Sequence, residues 1–258
     1  GDFPLLGRVL RQYAVDTVLH LAAQPIVGEA LMNPLPAFDA NIRGTYHVLE
    51  AVRQWKGVRA CVVFTSDKVY GESAYAVSSE GDVLGGRAPY AASKVCADVL
   101  AETYAKTYRL PIGIARAGNL YGPGDVQWSR LVPGTIRSLL RGDRPILRSS
   151  GTPMRDYFYV EDAAEGVGVL AEALGQSSLH GEAFNFGTGV QTSALDVVRR
   201  LIACSGLPLD PVIQNEARGE IQAQCLDCSK AKRVLGWTYR TSLAEGLART
   251  WAHAKEQA

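Results

Sequence analysis

Two kinds of hydrophobic pattern alternate along the first half of the chain. Val15 to Ala23 (VDTVLHLAA), Val58 to Ser66 and Pro111 to Ala117 (PIGIARA) are short, nearly unbroken apolar runs, the pattern of parallel strands covered on both faces. Between them, Asn33 to Trp55 carries Phe38, Ile42, Tyr46, Leu49 and Val52 at helical spacing. Pro89 to Tyr108 does the same with Val95, Val99 and Tyr104, and opens on a proline. Strand, helix, strand, helix, strand predicts an α/β fold with a doubly wound parallel sheet. After Asn119 the rhythm breaks, with Gly122, Pro123, Gly124, Pro133 and Gly134 opening a stretch of short segments. Asp162 to Leu174, Ser193 to Cys204 and Ser242 to Ala254 read as later helices, with Ser193 as an N-cap. The predicted division is a sheet domain over residues 1–120 with part of 155–190, and a smaller C-terminal α/β lobe made mainly of 121–258.

Composition narrows the chemistry. The chain has 258 residues, 47% of them hydrophobic, enough for one core or a core with a small lobe. Its 27 basic and 26 acidic residues leave a net charge of +1, so no overall field favours nucleic acid or an anionic membrane, and an anionic ligand must be met by a local cluster. No apolar run reaches the roughly 18 residues of a membrane span, and a cytoplasmic location is the expectation. Five cysteines, an odd number, fit reduced thiols, and the spacing Cys225-Leu226-Asp227-Cys228 is read as coincidence because no second Cys/His pair stands at metal spacing. His47, His180 and His253 are read as structural or solvated, and His20 as packing.

Ligands of doubly wound sheets bind off the carboxyl ends of the strands. Three exits carry polar groups: His20 to Gln24, Thr65 to Tyr70 with Ser66, Asp67 and Lys68 in sequence, and Ala117 to Tyr121. On the helix that follows, Tyr90 and Lys94 stand four apart and share a face. A cation beside a phenol lowers its pKa, which makes Tyr90 a candidate general base; a solvated helix face is the alternative for such a pair in isolation.

The neighbours of that pair carry a resemblance. His20-Leu21-Ala22-Ala23-Gln24, Asn41 with Gly44-Thr45, Thr65 to Gly71, Pro89-Tyr90 to Lys94, Arg116 to Asn119 followed by Tyr121-Gly122-Pro123-Gly124, Arg155-Asp156-Tyr157, Tyr159 to Asp162 and Leu235-Gly236-Trp237 fall in one order and spacing. In these the chain resembles the extended short-chain dehydrogenase/reductase family, which includes nucleotide-sugar epimerases and 4,6-dehydratases. Asp67-Lys68, Leu84-Gly85-Gly86, Gln24-Pro25 and Gly124-Asp125 with Ser129 to Pro133 are most similar to CDP-glucose 4,6-dehydratases.

The resemblance implies a Rossmann-like fold, bound NAD, a nucleotide-diphosphate sugar as substrate and a homodimer packed through the Tyr90 helix. It implies that Tyr90 removes the proton of the sugar 4-hydroxyl, with Lys94 supporting the phenolate and Ser66 bonding the reacting oxygen. Asp67 would protonate the departing 6-hydroxyl. Lys68 either takes the carbon 5 proton as an amine or stays charged and polarises the ketone. NAD would lie along Asp2, Leu21, Ala22, Ala23, Gln24, Thr65, Tyr90, Lys94 and Ala117, and the substrate along Asn119, Arg130, Arg155 and Arg218. The alternatives are a 4-epimerase or reductase of the same family, or a non-catalytic sugar-nucleotide-binding protein.

A dinucleotide site also calls for a Gly-rich turn after the first strand. None is found before Val15, and Gly1-Asp2 resembles the end of the family's third strand. Roughly 60 residues of a usual member, the size of two βα units, are thus expected to be missing from the sheet domain.

Overall fold

The computed structural model describes residues 2–72, 77–216 and 221–258. A parallel sheet is built from β1 (Thr17–His20), β2 (Ala60–Ser66), β3 (Ile112–Ala117) and β7 (Ala183–Phe186), in the order β1-β2-β3-β7. The two central strands read as predicted, and every residue of β3 is buried. The fourth strand was not foreseen, because AFNF is short and follows the broken rhythm. The order predicted for parallel strands thus extends by one on the far side of β3.

Helices cover both faces. On one side α1 (Phe3–Gln12), α4 (Gly44–Gln54) and α5 (Pro89–Tyr108) pack Leu10, Leu49, Val52 and Ala101 against Val63 and Ile114. On the other, α7 (Val160–Ala173) lays Val167 and Leu170 over Val62, Ala115 and Phe184. Gly113 permits the close approach of that helix: a Cβ there would meet Leu170 and Leu174 at 3.1–3.3 Å. The outer edge of β1 leaves Leu19 and Leu21 exposed.

The helix expected over Asn33 to Trp55 is interrupted. Val27–Met32 (α2) and Pro34–Phe38 (α3) are short, and a π-helical turn over Asp39–Arg43 joins α3 to α4. Pro34 and Pro36 have no amide hydrogen to donate, which keeps α3 at the start of a helix, and the π turn carries Asn41 inward, 1% exposed.

The remaining elements make the second lobe. They are β4 (Asn119–Tyr121), α6 (Leu131–Leu140), β5 (Ile146–Leu147), β6 (Met154–Tyr159), β8 (Gln191–Ser193), α8 (Ala194–Ser205), β9 (Val212–Ile213) and α9 (Leu243–Glu256). Strands β4, β6 and β8 form a small mixed sheet, and Val132, Ile136, Tyr159, Val198, Leu201 and Leu247 share its core. Ser193 caps α8 as predicted, its hydroxyl accepting from the Asp196 amide at 3.1 Å. Among the described residues no helix is long and apolar enough to cross a membrane.

Candidate active site

The carboxyl end of β2 turns directly into a 3-10 turn, Asp67–Tyr70, capped by Ser66. The Ser66 hydroxyl accepts from the Lys68 amide at 3.3 Å and donates to Asp67 Oδ1 at 2.9 Å. A second segment lies on this turn: the Gly86 amide donates to the Val69 carbonyl at 2.9 Å, and a Cβ on Gly86 would stand 2.6 Å from the Lys68 carbonyl. Gly71, at φ 70°, would likewise strike Gly85 with any side chain. The Leu84-Gly85-Gly86 pattern is therefore a backbone-on-backbone contact that steadies Ser66 to Lys68.

Helix α5 brings Tyr90, Lys94 and Asp98 along one buried face, four residues apart. Its entry is fixed from the β1 side. Asn41 donates to Ser93 Oγ at 2.8 Å and to the Gln24 carbonyl at 3.1 Å, and accepts from the Gln24 amide at 2.8 Å. Ser93 in turn donates to the Tyr90 carbonyl at 2.7 Å. The Lys94 ammonium donates to the Phe64 carbonyl at 3.0 Å, and burial brings Lys94 down to about 8.

The expected acidification of Tyr90 is not found. Burial pushes the phenol up to about 12; the Ser66 hydrogen bond and Arg130 pull it back, while Asp67 pushes it further up. Lys94 is not among the groups that shift the phenol, and its ammonium hydrogen-bonds the Phe64 carbonyl.

Burial and Lys94 also hold His20 down at about 4. Thr45 donates to the Asn41 carbonyl at 2.6 Å, so the 2.9 Å contact between Thr45 Oγ1 and His20 Nε2 has the imidazole as donor. In the unfolded chain the same histidine takes up a proton near 6.5, so the unfolded state binds more protons as the pH falls from 6.5 toward 4. Stability is therefore expected to drop by about 2 kcal/mol between pH 7 and pH 5 through this group alone. A His20→Gln variant should show a correspondingly flatter melting-temperature profile over that range; an unchanged profile would assign the acid sensitivity elsewhere.

Asp67 and Lys68 form a buried ion pair. The ammonium lies 3.0 Å from each Asp67 oxygen, 3.3 Å from Asn119 Oδ1 and 2.5 Å from Gln224 Oε1. Burial lowers the Lys68 pKa and Asp67 opposes the shift. Asp67 was expected to face the substrate as a neutral acid. Instead it is 1% exposed and turned to Lys68 and Ser66, because the ammonium attracts both of its oxygens.

A cavity of about 1440 Å³ opens at these strand ends and runs into the second lobe. Leu21, Ala23, Thr65, Ser66, Lys68, Tyr90, Lys94 and Ala117 front its sheet side, and Asn119, Arg130 and Arg155 its far side. Asp2, Ala22, Gln24 and Asp67 are not among the lining residues. Asp2 caps α1, accepting from the Leu5 amide at 3.0 Å, and Gln24 is tied to Asn41 and Glu29. Arg218 lies outside the described residues. Arg130 pairs with Asp125 at 3.1 Å, and Arg155 donates to its neighbour's carbonyl at 2.8 Å.

Sequence reasoning missed Arg137, Arg141 and Arg148, which also line the cavity. Arg137 and Arg141, four apart at the end of α6, offered a helical-face signal. Five arginines and two lysines line the cavity against Glu29 and Asp143, and although Lys68 pairs with Asp67 and Arg130 with Asp125, the surplus of cations favours anions. Gln224 had no local signal, since it reaches the site from 156 positions away in sequence.

The comparisons with known proteins identify the family. The family model described as GDP-mannose 4,6 dehydratase matches residues 1–250. The chain is 31% identical over 262 residues to the CDP-glucose 4,6-dehydratase of Salmonella typhimurium, covering 96% of this chain and 73% of that one. Its structure is similar to that of the UDP-glucose 4-epimerase of Thermotoga maritima with UDP-glucose, with TM-score 0.91, 27% identity and coverage of 99% and 82%. It is also similar to a double mutant of the dTDP-glucose 4,6-dehydratase of Streptomyces venezuelae with NAD bound, with TM-score 0.89, 29% identity and coverage of 99% and 77%.

Proposed function

The chain belongs to the GDP-mannose 4,6 dehydratase family, a group of NAD-dependent nucleotide-sugar 4,6-dehydratases and 4-epimerases among the extended short-chain dehydrogenases/reductases, and from that premise we propose that it is a 4,6-dehydratase. The substrate is an NDP-glucose, with CDP-glucose the first to test, and the product its 4-keto-6-deoxy derivative. The observation that carries this reading is the meeting of Ser66, Lys68, Tyr90 and Lys94 on one cavity wall, opposite a row of arginines.

The residues present fit the nicotinamide-ribose end of NAD. Lys94 spends one of its three protons on Phe64, which among the described residues leaves two to meet ribose oxygens, and Thr65 and Ala117 supply the adjoining floor. When bound, NAD would take hydride from carbon 4 of the sugar and return it to carbon 6. Tyr90, whose phenol the positive ring of bound NAD would bring down from about 12, removes the proton from the 4-hydroxyl, and Ser66 steadies that oxygen. Elimination then breaks the bonds from carbon 5 to hydrogen and from carbon 6 to oxygen: the oxygen leaves as water with a proton from Lys68, and the amine so formed takes the carbon 5 proton and gives it back to carbon 5 when carbon 6 is reduced. Lys68 is the cavity-facing member of the ion pair and holds protons, so it takes the donor role that Asp67 was expected to play. Asp67 fixes its charge from behind. Arg130, Arg137, Arg148 and Arg155 meet the diphosphate.

Incubation with CDP-glucose and other NDP-hexoses, following the alkaline absorbance of 4-keto-6-deoxy sugar, tests the reading. Lys68→Met should lower its appearance about 10²-fold. A native rate in that variant would remove Lys68 from the mechanism. A 4-epimerase is the second reading, favoured by the turning of Asp67 away from the cavity, since epimerisation needs no acid for elimination. A 4-epimer formed without any keto sugar would establish it.

A further inference from the structure

The three protons of the Lys68 ammonium face four acceptor oxygens, and the shortest contact is to the residue most distant in sequence, Gln224 at 2.5 Å. The orientation of the Gln224 amide follows from its other end. Nε2 donates to the Asp67 carbonyl at 2.7 Å, so the oxygen must face Lys68. One side chain thereby clamps both the backbone of residue 67 and the charge of residue 68.

Gln224 is itself held. It is 3% exposed, and its amide donates to the Met154 carbonyl at 3.1 Å while the Met154 amide donates to Gln222 at 2.8 Å. The following residues pair with Ser78, whose amide donates to Cys225 at 2.9 Å and whose carbonyl accepts from Asp227 at 2.9 Å. The segment is thus stitched to β6 on one side and to the 77–79 stretch on the other, and it delivers the amide to the catalytic turn at a fixed height. Such rigid backing is what a site needs where a group must be held in one charge state and one place.

We infer that Gln224 is a positioning residue, which holds Lys68 at the cavity wall as an ammonium and couples the second lobe to the Ser66–Lys68 turn. The inference rests on the reading of this cavity as a dehydratase site, because it is the elimination step that needs a charged donor there. The surroundings of Lys68 leave Gln224 as the decisive neutral member. Asp67 on the same turn and Asp156 on β6 favour the charge, Arg155 on β6 and burial oppose it, and Asn119 of β4 adds a 3.3 Å acceptor. Removing the amide oxygen leaves a desolvated cation with one acceptor fewer, whereas a carboxylate in its place adds an opposite charge at contact distance.

The test titrates Lys68 in the full chain by pH-dependent acetylation with acetic anhydride, read by mass spectrometry, in wild type, Gln224→Leu and Gln224→Glu. The Lys68 midpoint is expected to fall by about one unit in the leucine variant and to rise by about one unit in the glutamate variant. In turnover of CDP-glucose the alkaline limb of kcat should move in the same two directions, with KM within about twofold of wild type, because the substrate's arginine contacts are untouched. Opposite shifts cannot come from general loosening of the fold. If the leucine variant fails to fold, the glutamate variant decides alone. A midpoint unmoved in Gln224→Glu, or moved the same way in both variants, overturns the inference. Opposite shifts in acetylation without any 4-keto-6-deoxy sugar from wild type would keep Gln224 as the clamp of Lys68 and discard the dehydratase reading.

Discussion

Replacing Tyr90 by Phe is expected to lower turnover of the nucleotide sugar by about 10²–10⁴-fold, the usual contribution of a positioned general base, while leaving the fold intact. The ring's packing explains the second half of that expectation. Tyr90 lies against Ala30 and Ala37, and a phenylalanine makes the same contacts. The hydroxyl is what changes, and burying even a neutral hydroxyl carries a desolvation cost that phenylalanine does not have. The melting temperature should therefore move by no more than about 2 °C. Affinity for the substrate should also survive, since the proposed diphosphate contacts are the arginines of the second lobe and not Tyr90. A drop in kcat with KM nearly constant would mark the loss of a group that acts in the transition state. Turnover retained within about threefold would remove Tyr90 from the chemistry and, with it, the assignment of this cavity as the active site.

The legible parts of the structure are those whose residues announce themselves locally. Strands β2 and β3 are continuous apolar runs, α5 opens on Pro89 and keeps its expected bounds, and Ser193 caps α8 through its own side chain. The polar strand exits were legible too, because a serine, an acid and an amine where a buried strand stops have few structural reasons to be there. What stayed hidden depends on contacts made across the fold. The α3–α4 region was read as one helix over Asn33 to Trp55, since Phe38, Ile42 and Leu49 keep the spacing even through a π turn. Which of 67 and 68 faces the cavity could not be read from adjacency: Gln224 and Asn119, from two other segments, hold Lys68, while the Ser66 cap of the same turn holds Asp67. The Tyr90–Lys94 spacing did predict a shared helix face. It could not predict that burial would push the phenol up to about 12 while the ammonium hydrogen-bonds the Phe64 carbonyl.

A second large effect is expected at a residue one turn beyond Lys94. Asp98 is 1% exposed and takes a two-pronged hydrogen bond from Arg116 of β3, with Nε to Oδ2 and Nη2 to Oδ1 both at 2.8 Å. The same guanidinium donates to Tyr70 Oη at 3.0 Å and lies over its ring at 5.2 Å, and Tyr70 donates to Asn185 of β7 at 2.7 Å. Thr65 of β2 also donates to Asp98, at 3.2 Å. One carboxylate thus joins α5 to the strand carrying Ser66, to β3 and, through Arg116 and Tyr70, to β7. Asp98→Ala leaves a buried cation without its counter-charge, which costs about 3–5 kcal/mol, against a total stability of about 5–15 kcal/mol for a domain. The loss should appear as a lower urea midpoint with an unchanged slope. It should also lower activity beyond what the remaining folded fraction explains, because the register that places Tyr90 and Lys94 is set by this contact. Removing both charges distinguishes a structural clamp from a mere requirement for acid: Asp98→Leu combined with Arg116→Met should recover a large part of the stability, since two apolar groups leave no unpaired charge behind. A single alanine variant within about 1 kcal/mol of wild type would show that the ion pair is not what fixes α5 on the sheet.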